Sequence, residues 1–193
     1  MKQTGKKESS KKKPTVEHAD ALCHLKKKPK RFSWNTWIKM PMIARYTGMR
    51  AGEVSALSSS HVINEQGVLC LQVKSGKTAS SARLIPVCDK LLPVIQECLS
   101  TIGPWFHDVG DSVANDGVRM AAKDFLKWWN KAAKSVGPYS FHCLRLYCND
   151  ELVRAGVDIL DRERILGHVN SRTQAAYTAV DLERFKAALD QVR

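Results

Sequence analysis

Apolar positions recur at helical spacing along most of this chain and at strand spacing in one short region. Residues 34–48 carry a helical pattern, with Pro41 either opening the main helix or kinking it. Gly48 marks a break, and residues 50–58 read as a short helix with Val54 and Leu57 facing inward. Apolar and polar residues then alternate over 68–73 and again over 83–87, which predicts two strands. Between them lies KSGKTASSA, rich in Gly and Ser, so the pair reads as a β-hairpin with a mobile tip. Further helices are expected over 89–102, 115–135, 140–155, 158–166, 171–178 and 181–192, with a loop over 103–114. No internal repeat interrupts this order. The expected fold is mainly α with a small antiparallel β-sheet, an α+β domain over 34–193.

The last predicted helix adds an unresolved choice. Leu182, Phe185, Leu189 and Val192 make one apolar stripe. It suits packing on the same domain and docking onto a neighbouring protomer equally.

Charge changes the picture at the other end. The chain has 193 residues and a formal net charge of +12, which points to a polyanionic partner. Residues 1–33 hold eleven Lys/Arg against three Asp/Glu, so most of that excess sits there. Runs such as KKESSKKKP and LKKKPKR predict a flexible basic arm or linker, solvated or lying along a DNA backbone. The body is only mildly basic, so specific contacts there must come from placed residues.

Six cysteines (23, 70, 88, 98, 143 and 148) show no CxxC pair. They read as reduced core thiols of an intracellular protein, not as a zinc site. No apolar run is long enough for a membrane span, and the N-terminus lacks the apolar stretch of a signal peptide.

Candidate chemistry sits in four local contexts and one lone tyrosine. Arg50 lies in TGMRAGE, His142 and Arg145 in HCLR, His168 in LGH, and Tyr177 nine residues further on. Lys74 and Lys77 flank the predicted hairpin tip. A phenol is a poor nucleophile until it is positioned and stabilised as phenolate. Attack on a phosphodiester builds negative charge on its oxygens, so the site needs fixed cations. Arginine stays protonated, and its planar fork can hold two phosphate oxygens. Histidines add donors, and a hairpin lysine can protonate a leaving 5′-oxygen. His142 and Arg145 stand one helical turn apart and can face one site.

In these residues the chain resembles the catalytic domain of the tyrosine recombinase (phage integrase) family, over roughly 34–190. The motifs TGxRxxE, a hairpin Lys, HxxR, LGH and a downstream Tyr all occur here in that order. The resemblance implies that Arg50 and Arg145 clamp the scissile phosphate. His142 and His168 would donate to it, His142 also helping to deprotonate the nucleophile. Tyr177 would attack, leaving a 3′-phosphotyrosyl bond and a free 5′-hydroxyl, with no metal or other cofactor. Lys77 fits the family's general acid better than Lys74, though both stay open, the other touching backbone phosphate. Arg83, before Leu84-Ile85-Pro86, fits a second basic hairpin position that contacts DNA. Glu53 would support Arg50. Tyr46, Tyr139 and Tyr147 are rival phenols whose expected role is core packing.

The implied partners are double-stranded DNA, further copies of the chain in a tetramer, and an accessory DNA-bending protein. The implied setting is the cytoplasm, in a bacterial or phage-encoded system. The family's usual core-binding domain has no counterpart in the Lys-rich first 33 residues. A catalytic fragment of a longer integrase and a minimal protein are both compatible with that. A type IB topoisomerase and a DNA-binding module that no longer cuts are the competing readings. Base reading would fall to helices around 50–60 and 115–145.

Overall fold

The computed structural model describes residues 13–74, 82–109, 118–167 and 181–193. Among them are α1 (Val16–Cys23), α2 (Trp34–Thr47), α3 (Ala51–Ser55), α4 (Leu92–Leu99), α5 (Val118–Ala133), α6 (His142–Arg154), α7 (Ile159–Leu166) and α8 (Leu182–Asp190). Three strands, β1 (Val62–Glu65), β2 (Val68–Val73) and β3 (Arg83–Pro86), form one antiparallel sheet in the order β1-β2-β3. The mainly helical fold with a small sheet is as the sequence predicts.

Two elements depart from the sequence expectations. Residues 13–33 are not a solvated arm. Thr15 caps α1, with its hydroxyl accepting from the His18 N–H while the His18 ring accepts from the Thr15 N–H. Ala19, Leu22 and Cys23 stand at helical spacing and are buried, as are Leu25 and Phe32 beyond the helix. The lysines lie on the outside of a segment that is apolar within. Residues 1–12 fall outside the described residues, as do the hairpin tip and the helix expected at 171–178.

The second departure is β1, an unexpected third strand. Gln66 and Gly67 both take positive φ, 54° and 81°, and form the two-residue connection between β1 and β2. Register pairs Val62 with Leu71 and Cys70 with Pro86. Pro41 lies inside α2 instead of opening it.

An edge-to-face aromatic cluster joins α2, α5 and the start of α6. Phe125 meets Phe32, Trp37 and Phe141 at centroid separations of 5.5, 5.6 and 5.8 Å, and Trp129 meets Phe141 at 5.1 Å. Asn130 on α5 accepts from the Phe141 N–H at 2.8 Å, which fixes the start of α6. All six cysteines are free and buried.

The apolar stripe of α8 packs on its own domain here. Leu182, Phe185, Leu189 and Val192 are at most 2 % exposed. Leu182 sits against Val68 and Cys70 of the sheet. Beyond the helix, the Arg193 carbonyl accepts from Arg45 Nε at 3.0 Å and from the Tyr147 hydroxyl at 2.7 Å.

Candidate active site

The turn after α2 builds the first part of the site. Thr47 is fully buried, and its hydroxyl donates to the Ile43 carbonyl and accepts from the Met49 N–H. Gly48 ends α2 at φ +65°, a left-handed conformation that favours glycine. A Cβ there would also collide with Leu166 Cδ2. Arg50 follows as the N-cap of α3 in extended backbone.

Glu53 is the centre of the cluster. Its side chain is 6 % exposed and faces two guanidinium groups. Arg50 Nη1 donates to one carboxylate oxygen at 2.9 Å, and the Arg50 backbone N–H to the other at 2.9 Å. Arg83 Nη2 and Nη1 donate to the same carboxylate at 2.9 and 3.2 Å. Burial opposes ionisation of Glu53, but Arg83 and then Arg50 outweigh it and hold the carboxyl below its usual range. Arg83 Nε also donates to the Ile165 carbonyl at 2.9 Å. The expected DNA contact of Arg83 therefore meets a different geometry: its side chain is 7 % exposed and its fork is turned inward.

Arg145 approaches from α6. Its residue is 2 % exposed, and Nη1 donates to the Gly48 carbonyl at 2.6 Å. Its Nε and Nη2 are buried with no hydrogen-bond partner among the described residues. Burial, then the positive charges of Arg50 and Arg83, push its pKa down to about 10. It stays charged at neutral pH, in a place that disfavours charge. Arg50 is the more open of the two clamp candidates, with its side chain 45 % exposed. Its Nη2 reaches the Gly167 carbonyl at 3.4 Å.

Gly167 closes α7 at φ +70°, and a Cβ there would meet Arg83 Nη1 at 2.7 Å. The LGH motif is thus packed against the Glu53 cluster up to its glycine. His142 is exposed in the first turn of α6, one turn before Arg145. Lys74 is exposed at the end of β2. Lys77, His168 and Tyr177 lie outside the described residues. Of the rival phenols, Tyr139 and Tyr147 are buried, and Tyr46 is half-buried beside the Arg45 guanidinium. Burial raises the pKa of both Tyr46 and Tyr147.

Of the residues singled out in the sequence, the structure brings Arg50, Arg83, Glu53 and Arg145 together. Sequence reasoning missed the Gly48 carbonyl as the seat of Arg145 and the inward turn of Arg83. A signal for the latter was present: Arg83 begins an apolar strand that ends in the core.

The phage integrase family profile matches residues 16–184. The chain belongs to the phage integrase family. The match begins at the first residue of α1. Among integrase-family relatives, the chain is 29% identical over 146 residues to a tyrosine recombinase of Thermosipho africanus (strain TCF52B), covering 74% of this chain and 49% of that protein. It is 30% identical over 156 residues to the tyrosine recombinase XerA of Thermococcus onnurineus (strain NA1), covering 76% and 51%. This integrase-family chain spans about half the length of those curated relatives. Similar solved structures include an integrase from mycobacterium phage Brujita, with TM-score 0.63 and 19% identity over 94% of this chain and 60% of that one. A second is the Tn1549 transposon integrase in complex with transposon right end DNA, with TM-score 0.59 and 17% identity over 97% and 68%.

Proposed function

We propose that this chain is the catalytic part of a site-specific DNA recombinase that cleaves and rejoins strands through a 3′-phosphotyrosyl intermediate. One observation carries the reading. Arg145 keeps a charged guanidinium inside the protein with two nitrogens, Nε and Nη2, unpartnered among the described residues, beside the half-exposed Arg50. Leaving such donors unmade is costly, and a phosphate between the two arginines would satisfy them.

In the proposed reaction the scissile phosphate sits between Arg50 and Arg145, with His142 and His168 donating to its oxygens. The Tyr177 oxygen bonds to phosphorus as the bond to the 5′-oxygen breaks. Lys77 supplies the proton that the leaving oxygen needs. Attack by the 5′-hydroxyl of another strand reverses these steps and completes exchange. The phosphodiester energy is kept in the tyrosyl link, so no external energy source enters. Double-stranded DNA is the substrate, held by a tetramer of this chain, with integration or excision of a mobile element as the outcome. That last assignment leans on the phage and transposon integrases among the similar structures.

Trapping tests it. The protein is incubated with a library of nicked duplexes, denatured in SDS, and assayed for covalently bound DNA, with Tyr177→Phe in parallel. An adduct with the wild type that Tyr177→Phe fails to form is expected. An adduct formed equally by both would overturn the nucleophile. No adduct from either, with duplex binding intact, would favour a module that binds without cutting. A substrate with sulfur at the 5′-bridging position needs no proton on leaving, so it should restore cleavage to Lys77→Met if Lys77 is the acid.

A further inference from the structure

A second basic surface lies apart from the arginine cluster. The loop after α1 carries Lys26, Lys27 and Lys28 and faces the last turns of α5. A pocket of about 910 Å³ opens between them. Leu25, Ala132 and Val136 give it an apolar lining, and Trp128, Lys131 and Asp20 line it too. Asp20 pairs with Arg45, and Asp124 pairs with Arg31 at 2.7 Å. Lys28 Nζ donates to the Phe32 carbonyl at 2.6 Å, and among the described residues no carboxylate forms an ion pair with Lys26, Lys27, Lys28 or Lys131.

Two tryptophans are exposed beside these lysines. Trp34 is 49% and Trp128 39% exposed, while Trp37, Trp105 and Trp129 are buried. Each exposed ring lies under an ammonium, Lys28 over Trp34 at 5.3 Å and Lys131 over Trp128 at 5.5 Å. Lys28 links the two, since it also lines the pocket that Trp128 walls. Indole faces left in water forgo the gain of burial, and clustered ammonium groups repel one another. A ligand that brings both flat rings and negative charge relieves both costs. Phosphate would draw an ammonium off its ring and free the face for stacking.

Duplex DNA keeps its bases stacked inside and offers this pocket only phosphates. A single strand offers both components. An acidic peptide would meet the lysines but brings no rings matched to two indole faces. We infer that the Lys26–Lys28 loop and the end of α5 form a binding site for single-stranded DNA, with a base stacked on Trp128. The turn of α5 that carries Trp128 and Lys131 also touches the start of α6. Asn130, between Trp128 and Lys131, holds the Phe141 N–H that precedes His142. In a strand-exchange reaction the pocket would hold a strand displaced from its duplex, but the binding itself does not depend on that reaction.

The test uses the full chain carrying Tyr177→Phe, so that no covalent product forms. A fluorescein-labelled 12-mer of thymidylate is titrated by anisotropy, with tryptophan emission followed in parallel. A 12-base-pair duplex and a poly-Glu peptide serve as competitors. Binding with quenching of tryptophan emission is expected. Trp128→Ala should weaken it by roughly 5- to 100-fold, the range of one lost stacking contact. Lys131→Gln should weaken it less and flatten its salt dependence. Both positions are at the surface, and unchanged circular dichroism and melting would exclude misfolding. Equal binding of the 12-mer by Trp128→Ala, displacement by the duplex at equal concentration, or preferential capture of the peptide would each overturn the inference.

Discussion

Glu53→Gln isolates the charge at the centre of the arginine cluster. Glutamine keeps the shape and can still accept the Arg50 backbone N–H, so the cap of α3 survives. What it removes is the counter-charge of Arg83, whose side chain is 7 % exposed. Breaking a buried ion pair by removing one partner costs about 3–5 kcal/mol. The share from the half-exposed Arg50 is small, about 0–1 kcal/mol, because solvent screens it. With one acceptor retained, the expected loss is about 2–4 kcal/mol. For a chain of this size each kcal/mol moves Tm by roughly 2–4 °C, so a fall of roughly 4–16 °C is expected. Urea and thermal unfolding would measure it. The cycle is completed with Arg83→Met alone and with both changes, where a coupling above ~1 kcal/mol is expected. Glu53 also has a pH signature. Its folded pKa is lowered from the ordinary 4.5, so its contribution is fully present above that value. The contribution is lost as pH falls through the folded value, and Glu53→Gln should flatten that acid limb. A loss below ~1 kcal/mol with unchanged pH dependence would refute the central role of this carboxylate.

Arg145→Met removes a buried charge whose depressed pKa corresponds to about 3 kcal/mol. After losing the bond to Gly48, worth about 1–2 kcal/mol, the DNA-free variant should be neutral to ~2 kcal/mol more stable while forming no adduct. Destabilisation by more than ~1 kcal/mol would contradict it. Gly48→Ala meets both a positive φ and a clash with Leu166 Cδ2, so a loss of about 2–4 kcal/mol is expected in urea unfolding. A near-neutral result would mean that the turn relaxes freely. Phe185→Ala should cost about 3–5 kcal/mol in the isolated chain, because this ring is buried in its own domain. Little change would instead place the α8 stripe on another surface.

Long periodic segments were the legible part of the fold. Helices α5 and α8 follow clear apolar stripes, because burial of one face decides where a helix lies, whereas α6 buries Arg145 and Glu151 among its apolar residues. Composition misled at α1, where the count of lysines hid three inward residues, Ala19, Leu22 and Cys23. β1 was missed because four residues carry too little alternation, although Gly67 marked its turn. In the site, motif order pointed to Arg50, Arg145 and Glu53. It could not say which way Arg83 points, because a long side chain at a strand start can turn to solvent or to a buried carboxylate. Only the position of Glu53 decides between them, and that depends on how α3 packs on α2 and α5. The pocket under Lys26–Lys28 was invisible for a similar reason: residues about a hundred positions apart build it.

The in-place packing of α8 sets a leash length. Gly167 is fixed by its close approach to Arg83, and Asp181 by its side-chain bond to the Arg184 N–H at 2.9 Å. Fourteen residue steps separate these two anchors. A rearrangement that lifts α8 from the sheet would move one anchor and leave the other in place.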